Sequence, residues 1–568
     1  MKAKLFFAST VTLGILFGFV LFVFLLIAYF ADLIDWPVLI ALTVLMNALM
    51  LFISPMITDW MQRLFYKLRW VNYVEFETEH AEVARFMKGV CEKHKIKIPK
   101  LRVIDDANPT AYCYGSYPNN ARLVLSQGIF KYLSVEEQKA VVAHELGHIC
   151  NWDFVVMTIA ATLLEVLYEV YWVFLRARKG GGGGKKKDIT PLIGLVAYVL
   201  YLIGQYVILY LSRTREYLAD NFSAEHTGNP DALSMALVKI AYGIAVEEET
   251  ESTQRLLAST RSMGVYDFKA AHSAGSTFKI ATGKDQEAIA SELTRVFLFD
   301  FFSPWAFFAE VNSTHPLVGK RIKMMSLYAK NRGITSMFDF NRVEEAGKSL
   351  DRGKLYGGFA NGVAFGLLPT VAAFAGLANL LFNPFESTIA FNFATVFFLV
   401  GTAQIIKGFY RFGRRGGAAE EKTVLELMQD PYANPMRGRY VEVEGKIIGK
   451  ADAGSYFGED VKMHDRGGGL IYLNYESIIP GLGNVFFGLT KAKEMIGSEA
   501  RARGWFRRSS YQVIDLDRID MPGGSVKSYT RFWGIITGVI FIIAGLIIDC
   551  YFGYSSAVGD WRDILRML

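Results

Sequence analysis

The chain has 568 residues, 52% of them apolar in type, with 43 Phe and 28 Tyr, and a formal net charge of only +6 at pH 7. That composition and a positive mean hydropathy belong to a membrane protein; a nucleic-acid binder is not expected, because the basic residues gather beside apolar runs rather than on a polar face of their own. Cys91, Cys113, Cys150 and Cys550 lack paired spacing, so neither a disulfide framework nor a CxxC zinc ribbon is expected.

The first elements are two apolar runs, Leu5 to Phe30 and Trp36 to Ile57, parted by the acidic turn Asp32-Leu33-Ile34-Asp35. Each reaches the about 20 residues that cross a bilayer, which predicts a transmembrane hairpin over residues 1–57. Lys2 and Lys4 precede it and Arg63, Lys67 and Arg69 follow, so the positive-inside rule puts both ends in the cytoplasm. The alternative for the first run is a cleaved signal peptide; its length and lack of a small-residue cleavage site favour an anchor.

Next comes His144-Glu145-Leu146-Gly147-His148, between Val141-Val142-Ala143 and Ile149. Two imidazoles one helical turn apart leave the same face and can close on one zinc ion, while Glu145 can reach a water on that metal. The chemistry implied is peptide-bond hydrolysis. Apolar flanks predict a buried helix, where histidines need a partner; on an exposed helix the same residues would be two solvated histidines.

Two apolar runs follow, Phe154 to Leu175 and Leu192 to Leu211, separated by Arg176-Ala177-Arg178-Lys179, five glycines and Lys185-Lys186-Lys187. The glycine-lysine stretch reads as a flexible linker. If both runs crossed from a cytoplasmic start, six basic residues would lie outside, against the rule used for the first hairpin, and Glu165 and Glu169 would be costly at mid-bilayer. A full hairpin and a pair of helices that only dip into lipid therefore both stay open.

A zinc hydrolase needs a third protein ligand and a position left for water. Glu216, in Ser212-Arg213-Thr214-Arg215-Glu216-Tyr217-Leu218-Ala219-Asp220, is the best candidate: it ends the second apolar run as His144 and His148 begin the first, so antiparallel packing returns it to them. Asp220, one turn on, could accept a hydrogen bond from the free ring nitrogen of a ligating histidine. Alone, the run would read as an exposed membrane-edge helix of mixed charge. Further on, His315 stands before Pro316 at the start of a helical stretch, stiffly held, and could donate to an oxyanion or simply cap a surface helix.

Three more apolar runs, Gly358 to Phe382, Thr388 to Phe409 and Phe532 to Tyr554, predict a second hairpin within 355–412 and a final span over 532–554. Between them, 420–528 carries alternating stretches such as Tyr440 to Ile448, Gly469 to Asn474 and Arg501 to Trp505, with glycines between. These predict a small OB-like β-barrel, expected to bind protein rather than oligonucleotide, with His464 an isolated surface residue.

The run His144 to Asp153, the run Ser212 to Asp220, and His315-Pro316 with Arg321 resemble, in this order, the signature segments of the HtpX-like membrane zinc metallopeptidases, a family that shares its catalytic core with the CAAX prenyl proteases. The resemblance covers roughly the first 330 residues and implies a zincin-type α+β metallopeptidase domain (58–345, including helices 154–175 and 192–211) in a mainly α membrane protein. It implies Zn2+ on His144, His148 and Glu216, with Glu145 as general base and Asp220 behind the ligands. His315 and Arg321 would steady the oxyanion or orient the site. It also makes Asn108 to Tyr114, ahead of the strand-like run Arg122 to Ser126, an edge strand to which an extended substrate could add. Expected partners are protein or peptide substrates and the lipid bilayer, at the cytoplasmic membrane with the catalytic domain facing the cytoplasm, in a quality-control role. The chain departs from the pattern after about Arg332. The rival readings are a membrane scaffold with a vestigial peptidase site, which would have no need of Glu145 beside two histidines, and a transporter, for which no inverted repeat is visible.

Overall fold

The computed structural model describes residues 15, 18, 19, 22, 23, 36–65, 68–177, 190–246, 295–382, 389–413, 419–450, 460–508 and 512–558. The first expected span and the basic glycine linker therefore lie almost wholly outside the described residues. The chain divides into two compact units, residues 1–294 with 307–343, and residues 295–306 with 344–568.

The first unit begins its described part with helix α1 (Trp36–Phe65), which contains the second expected run. A four-stranded sheet follows, in the order β1 (Leu68–Val71), β2 (Lys100–Ile104), β4 (Ala121–Ser126), β3 (Ala111–Gly115). β2 and β4 run parallel, and β3 is antiparallel to β4, with Tyr112 opposite Val124, which leaves β3 at the sheet edge. Asp59, near the end of α1, ties that helix to the strands: its carboxylate accepts from Tyr114 at 2.7 Å and pairs with Arg102 at 3.1 Å and Arg122 at 3.0 Å. The two arginines are buried, and this carboxylate meets the charge that each carries inward.

Helix α2 (Ala81–Lys93) packs on α3 (Val135–Cys150). Ser134 and Glu137 close a capping box at the start of α3, satisfying amides that the first turn leaves without partners. α3 ends at Asn151, and Trp152 adopts φ 59°, a left-handed conformation that bulky side chains rarely take, so that α4 (Asp153–Ala177) starts at once in a new direction. α5 (Thr190–Thr227) is one continuous helix of 38 residues carrying both the apolar run and the Ser212–Asp220 segment. It packs along α4 and α3; α6 (Pro230–Val246) and α7 (Val318–Asn331) complete the layer.

In the second unit α8 (Arg352–Phe382) and α9 (Ile389–Phe412) precede a β region, and a last helix follows it, Thr530–Val558. α9 and this last helix meet through glycines: a Cβ on Gly401 would stand 2.6 Å from the Gly538 carbonyl oxygen, and one on Gly408 2.5 Å from that of Gly534. Small residues let the backbones approach, which drives helix association where lipid removes the hydrophobic difference. Five described helices are long and apolar enough to cross a membrane, over Asp153–Phe174, Leu192–Thr227, Arg352–Phe382, Phe391–Phe412 and Thr530–Tyr551.

The β region pairs β6 (Arg439–Lys450) with β7 (Val461–Asp465), β7 with β8 (Leu470–Asn474), β8 parallel with β10 (Gln512–Met521), β10 with β9 (Glu499–Arg508), and β9 back to β6. The ladder thus returns to its first strand, with short β5 (Glu420–Glu421) and β11 (Gly524–Lys527) attached to β6 and β10. Helix α10 (Leu482–Leu489) lies between β8 and β9; the last helix, Thr530–Val558, is α11. Buried Asp515 on β10 is held below the usual carboxylate range: burial pushes it up, but the guanidiniums of Arg507 and Arg411 outweigh that. His464, expected on the surface, is buried on β7, a strand with every residue covered.

Candidate metal centre

His144, His148 and Glu216 come together because α3 and α5 pack at contact distance. The Ser223 hydroxyl of α5 donates to the Ala140 carbonyl of α3 at 2.7 Å. One to two turns along, Gly147 faces Ala219: a Cβ there would stand 3.0 Å from the Ala219 Cα and 3.1 Å from the Phe222 Cβ. Replacement of Gly147 by Ala must therefore spread the helices by a few tenths of an ångström. The expected result is a loss of about 1–3 kcal/mol of stability, typical of overpacking, and weaker zinc binding as Glu216 retreats. Thermal unfolding with a zinc titration reads both.

The Nε2 atoms of His144 and His148 are 3.1 Å apart. The Glu216 carboxylate lies 3.6 Å from the first through Oε2 and 3.5 Å from the second through Oε1. An ion with ligand bonds of about 2.0–2.1 Å in tetrahedral geometry sets its ligand atoms about 3.3 Å apart, so these separations fit the edges of such a site. The other ring nitrogens give a second test. His144 Nδ1 is 3.0 Å from Asp220 Oδ1, and His148 Nδ1 is 2.5 Å from Asp153 Oδ2. A carboxylate on each Nδ1 keeps the proton there and turns the lone pair of each Nε2 toward Glu216. Two lone pairs and a carboxylate converging in a buried place repel one another unless a cation stands between them. The donor set fits a zinc ion.

Glu145 follows His144 on α3 and is 1% exposed, and neither of its carboxylate oxygens has a hydrogen-bond partner among the described residues. A buried carboxylate in that condition is held for a ligand rather than for the fold. Cys113 on β3 donates to the Glu145 carbonyl at 3.4 Å, fixing the backbone there; burial pushes that thiol well above its ordinary pKa, so it stays protonated and makes no thiolate ligand.

His315 precedes α7, whose N-cap is Leu317, and its Nδ1 lies 3.2 Å from Glu216 Oε2. The imidazole is buried, which excludes a surface cap. Arg321, on the first turn of α7, makes a two-point pair with Asp220, Nε to Oδ2 at 2.9 Å and a terminal nitrogen to Oδ1 at 2.6 Å, and stands 3.3 Å from Glu216 Oε2. Its guanidinium therefore orients the two carboxylates. Six of the seven residues singled out in the sequence, His144, His148, Glu216, Asp220, His315 and Arg321, are joined by these distances, and Glu145 is next to His144 on the same helix.

Asp153 and Arg215 carry no role that the sequence alone points to. Arg215 pairs with Asp153 and donates to the Asn151 carbonyl, so it locks the turn that brings Asp153 to His148. A carboxylate five residues past His148, beyond the helix end, was the available signal, but its meaning depends on the left-handed backbone of Trp152. Asp153→Asn is expected to weaken zinc affinity roughly 10- to 100-fold, the usual cost of losing a partner behind a ligating histidine, as measured by competition with a chromophoric chelator.

The sequence model of peptidase family M48 matches residues 77–328, a range that spans this cluster. Among curated relatives, the chain is 30% identical over 188 residues to a "Protease HtpX homolog" of Syntrophobacter fumaroxidans, covering 32% of this chain and 67% of the relative. Proteins of the same description from Methanothermobacter thermautotrophicus and Thermococcus sibiricus match at 32% over 170 residues and 28% over 263 residues. Those matches span 30% and 45% of this chain and 62% and 77% of the relatives. From the buried His-His-Glu cluster and these matches together, the chain belongs to the HtpX-like peptidases of family M48, with residues 329–568 beyond the matched range.

Proposed function

We propose that this chain is a zinc-dependent endopeptidase of the cytoplasmic membrane that cuts membrane-embedded or unfolded proteins at the cytoplasmic surface, in membrane protein quality control. The observation that carries the reading is the convergence of three ligand atoms from His144, His148 and Glu216, with the buried carboxylate of Glu145, next to His144 on the helix, left without a hydrogen-bond partner among the described residues. His144, His148 and Glu216 would hold the ion, which would lower the pKa of a water and polarise the substrate carbonyl. Glu145 takes a proton from the attacking water and delivers it to the departing amine, so the base is regenerated as the peptide bond breaks. His315 donates from Nε2 to the oxygen that becomes negative. Arg321 and Asp220 keep Glu216 and His144 oriented, and Asp153 does the same for His148. An extended substrate pairs with β3 through main-chain hydrogen bonds, which suits unfolded segments of varied sequence. The strand-pairing order β6–β7–β8–β10–β9–β6, with a helix before β9, supports an OB-like barrel for the second unit. The basic flanks of the apolar runs support a cytoplasmic location for both the peptidase and the barrel.

The test is metal content joined to activity. Purified protein is expected to carry one zinc per chain, lose proteolysis on chelation and regain it with zinc, whereas His148→Ala carries none. Stoichiometric zinc absent from the unmutated chain would instead favour a scaffold with a vestigial site.

A further inference from the structure

The second unit exposes an apolar surface that the peptidase chemistry does not use. Between β8 and β9, Ile478, Ile479, Pro480, Gly481 and Leu482 are all exposed in succession, and α10 continues the surface with Phe486 and Leu489. Leu482 is 82% and Phe486 68% exposed. The opposite face of α10 is also committed: Phe487 stacks on Tyr475 at 3.7 Å between ring centroids, and Asn484 is buried, accepting from the Ser477 amide at 2.7 Å and donating to Glu476 at 2.8 Å. The one polar side chain of this helix thus points inward and its outer face is apolar, the inverse of a helix built to face water.

What covers this face follows from where it is fastened. Glu476 accepts from the Tyr529 amide at 2.8 Å, and the Ser477 carbonyl accepts from the Trp533 indole at 3.0 Å. Trp533 lies in the first turn of α11, a helix long and apolar enough to cross a membrane from Thr530. At about 1.5 Å rise per residue, the fastening is within one turn of the level at which that span enters lipid. Trp533 and Tyr529 are of the aromatic type that settles at a membrane interface, and exposed Lys491 and Lys493 follow the patch, where they can meet lipid phosphates. We propose that residues 478–489 insert their outer face into the interfacial region of the bilayer beside α11, anchoring the barrel to the lipid surface through a short monotopic wedge. The proposal concerns the second unit alone and stands apart from the peptidase reading.

The experiment places the photoreactive residue p-benzoylphenylalanine at Phe486 in the full-length protein, reconstituted in mixed phosphatidylcholine–phosphatidylglycerol vesicles. Adducts are identified by mass spectrometry after irradiation. Phe541, exposed on α11, serves as the lipid-facing control. Arg466, an exposed residue on the turn at the far end of β8 from Ser477, serves as the aqueous control. Lipid adducts at Phe486 comparable with those at Phe541 are expected, with little at Arg466, and adding Leu482→Asp should cut the Phe486 lipid yield several-fold. A Phe486 yield no higher than that at Arg466, a protein adduct in place of lipid, or a yield untouched by Leu482→Asp would overturn the proposal. Leu482 and Phe486 are both largely exposed, so neither change removes packing from the barrel.

Discussion

Glu145→Gln should lower the rate of peptide cleavage by roughly 10²- to 10⁴-fold, the contribution expected of a positioned general base, while zinc stays bound. The amide keeps the volume and shape of the carboxylate, so the wall of the site is unchanged. What disappears is the ability to accept a proton, since an amide is no base near neutral pH. The residue is buried on α3 and neither carboxylate oxygen has a hydrogen-bond partner among the described residues, so no such bond within them is removed with the charge. Zinc content by elemental analysis and fragment release from an unfolded membrane substrate measure the two halves. Full proteolysis in the Gln variant would remove Glu145 from the mechanism, and loss of zinc would make it a ligand.

Arg321→Ala should be among the most destabilising single changes in the first unit. The guanidinium is 1% exposed and its charge meets Asp220 at two points and Glu216 at one. Truncation leaves two carboxylates buried close together with no arginine, a condition that costs about 3–5 kcal/mol when one partner of a buried pair is deleted. Bound zinc offsets part of this through Glu216, so the loss in melting temperature should be larger for metal-free protein than for zinc-loaded protein. Arg321→Lys should recover only part of it, because an ammonium cannot form the two-point pair with Asp220. Equal melting temperatures for the Ala variant and the unmutated chain, both without metal, would sink this account of the network.

The His144–His148–Glu216 cluster was legible because its parts obey helical spacing. His144 and His148 are four apart, Glu216 and Asp220 are four apart, and two apolar runs joined by a linker invite antiparallel packing. The expected edge strand was legible by resemblance and lies at the sheet edge as β3. What stayed hidden depends on single backbone angles or on long sequence separations. Asp153 reaches His148 only because Trp152 takes a left-handed conformation. Asp59 meets Arg102 and Arg122 from 43 and 63 residues away, a pairing that no periodicity announces. In the second unit β6 and β8 showed in the sequence as apolar alternation or apolar runs. β7, Val461-Lys462-Met463-His464-Asp465, alternates apolar and polar residues like a half-exposed strand, yet both of its faces are covered, so nothing in the pattern marks His464 as buried.

The break at Trp152 has a mechanical meaning. Asp153 is at once the first residue of an apolar helix long enough to cross lipid and the acceptor that holds His148. With no linker between those two duties, a tilt of α4 is also a displacement of the carboxylate from the imidazole. Should α4 cross lipid and a metal stand on His148, as proposed above, the match between helix length and bilayer thickness would bear on how firmly that metal is held.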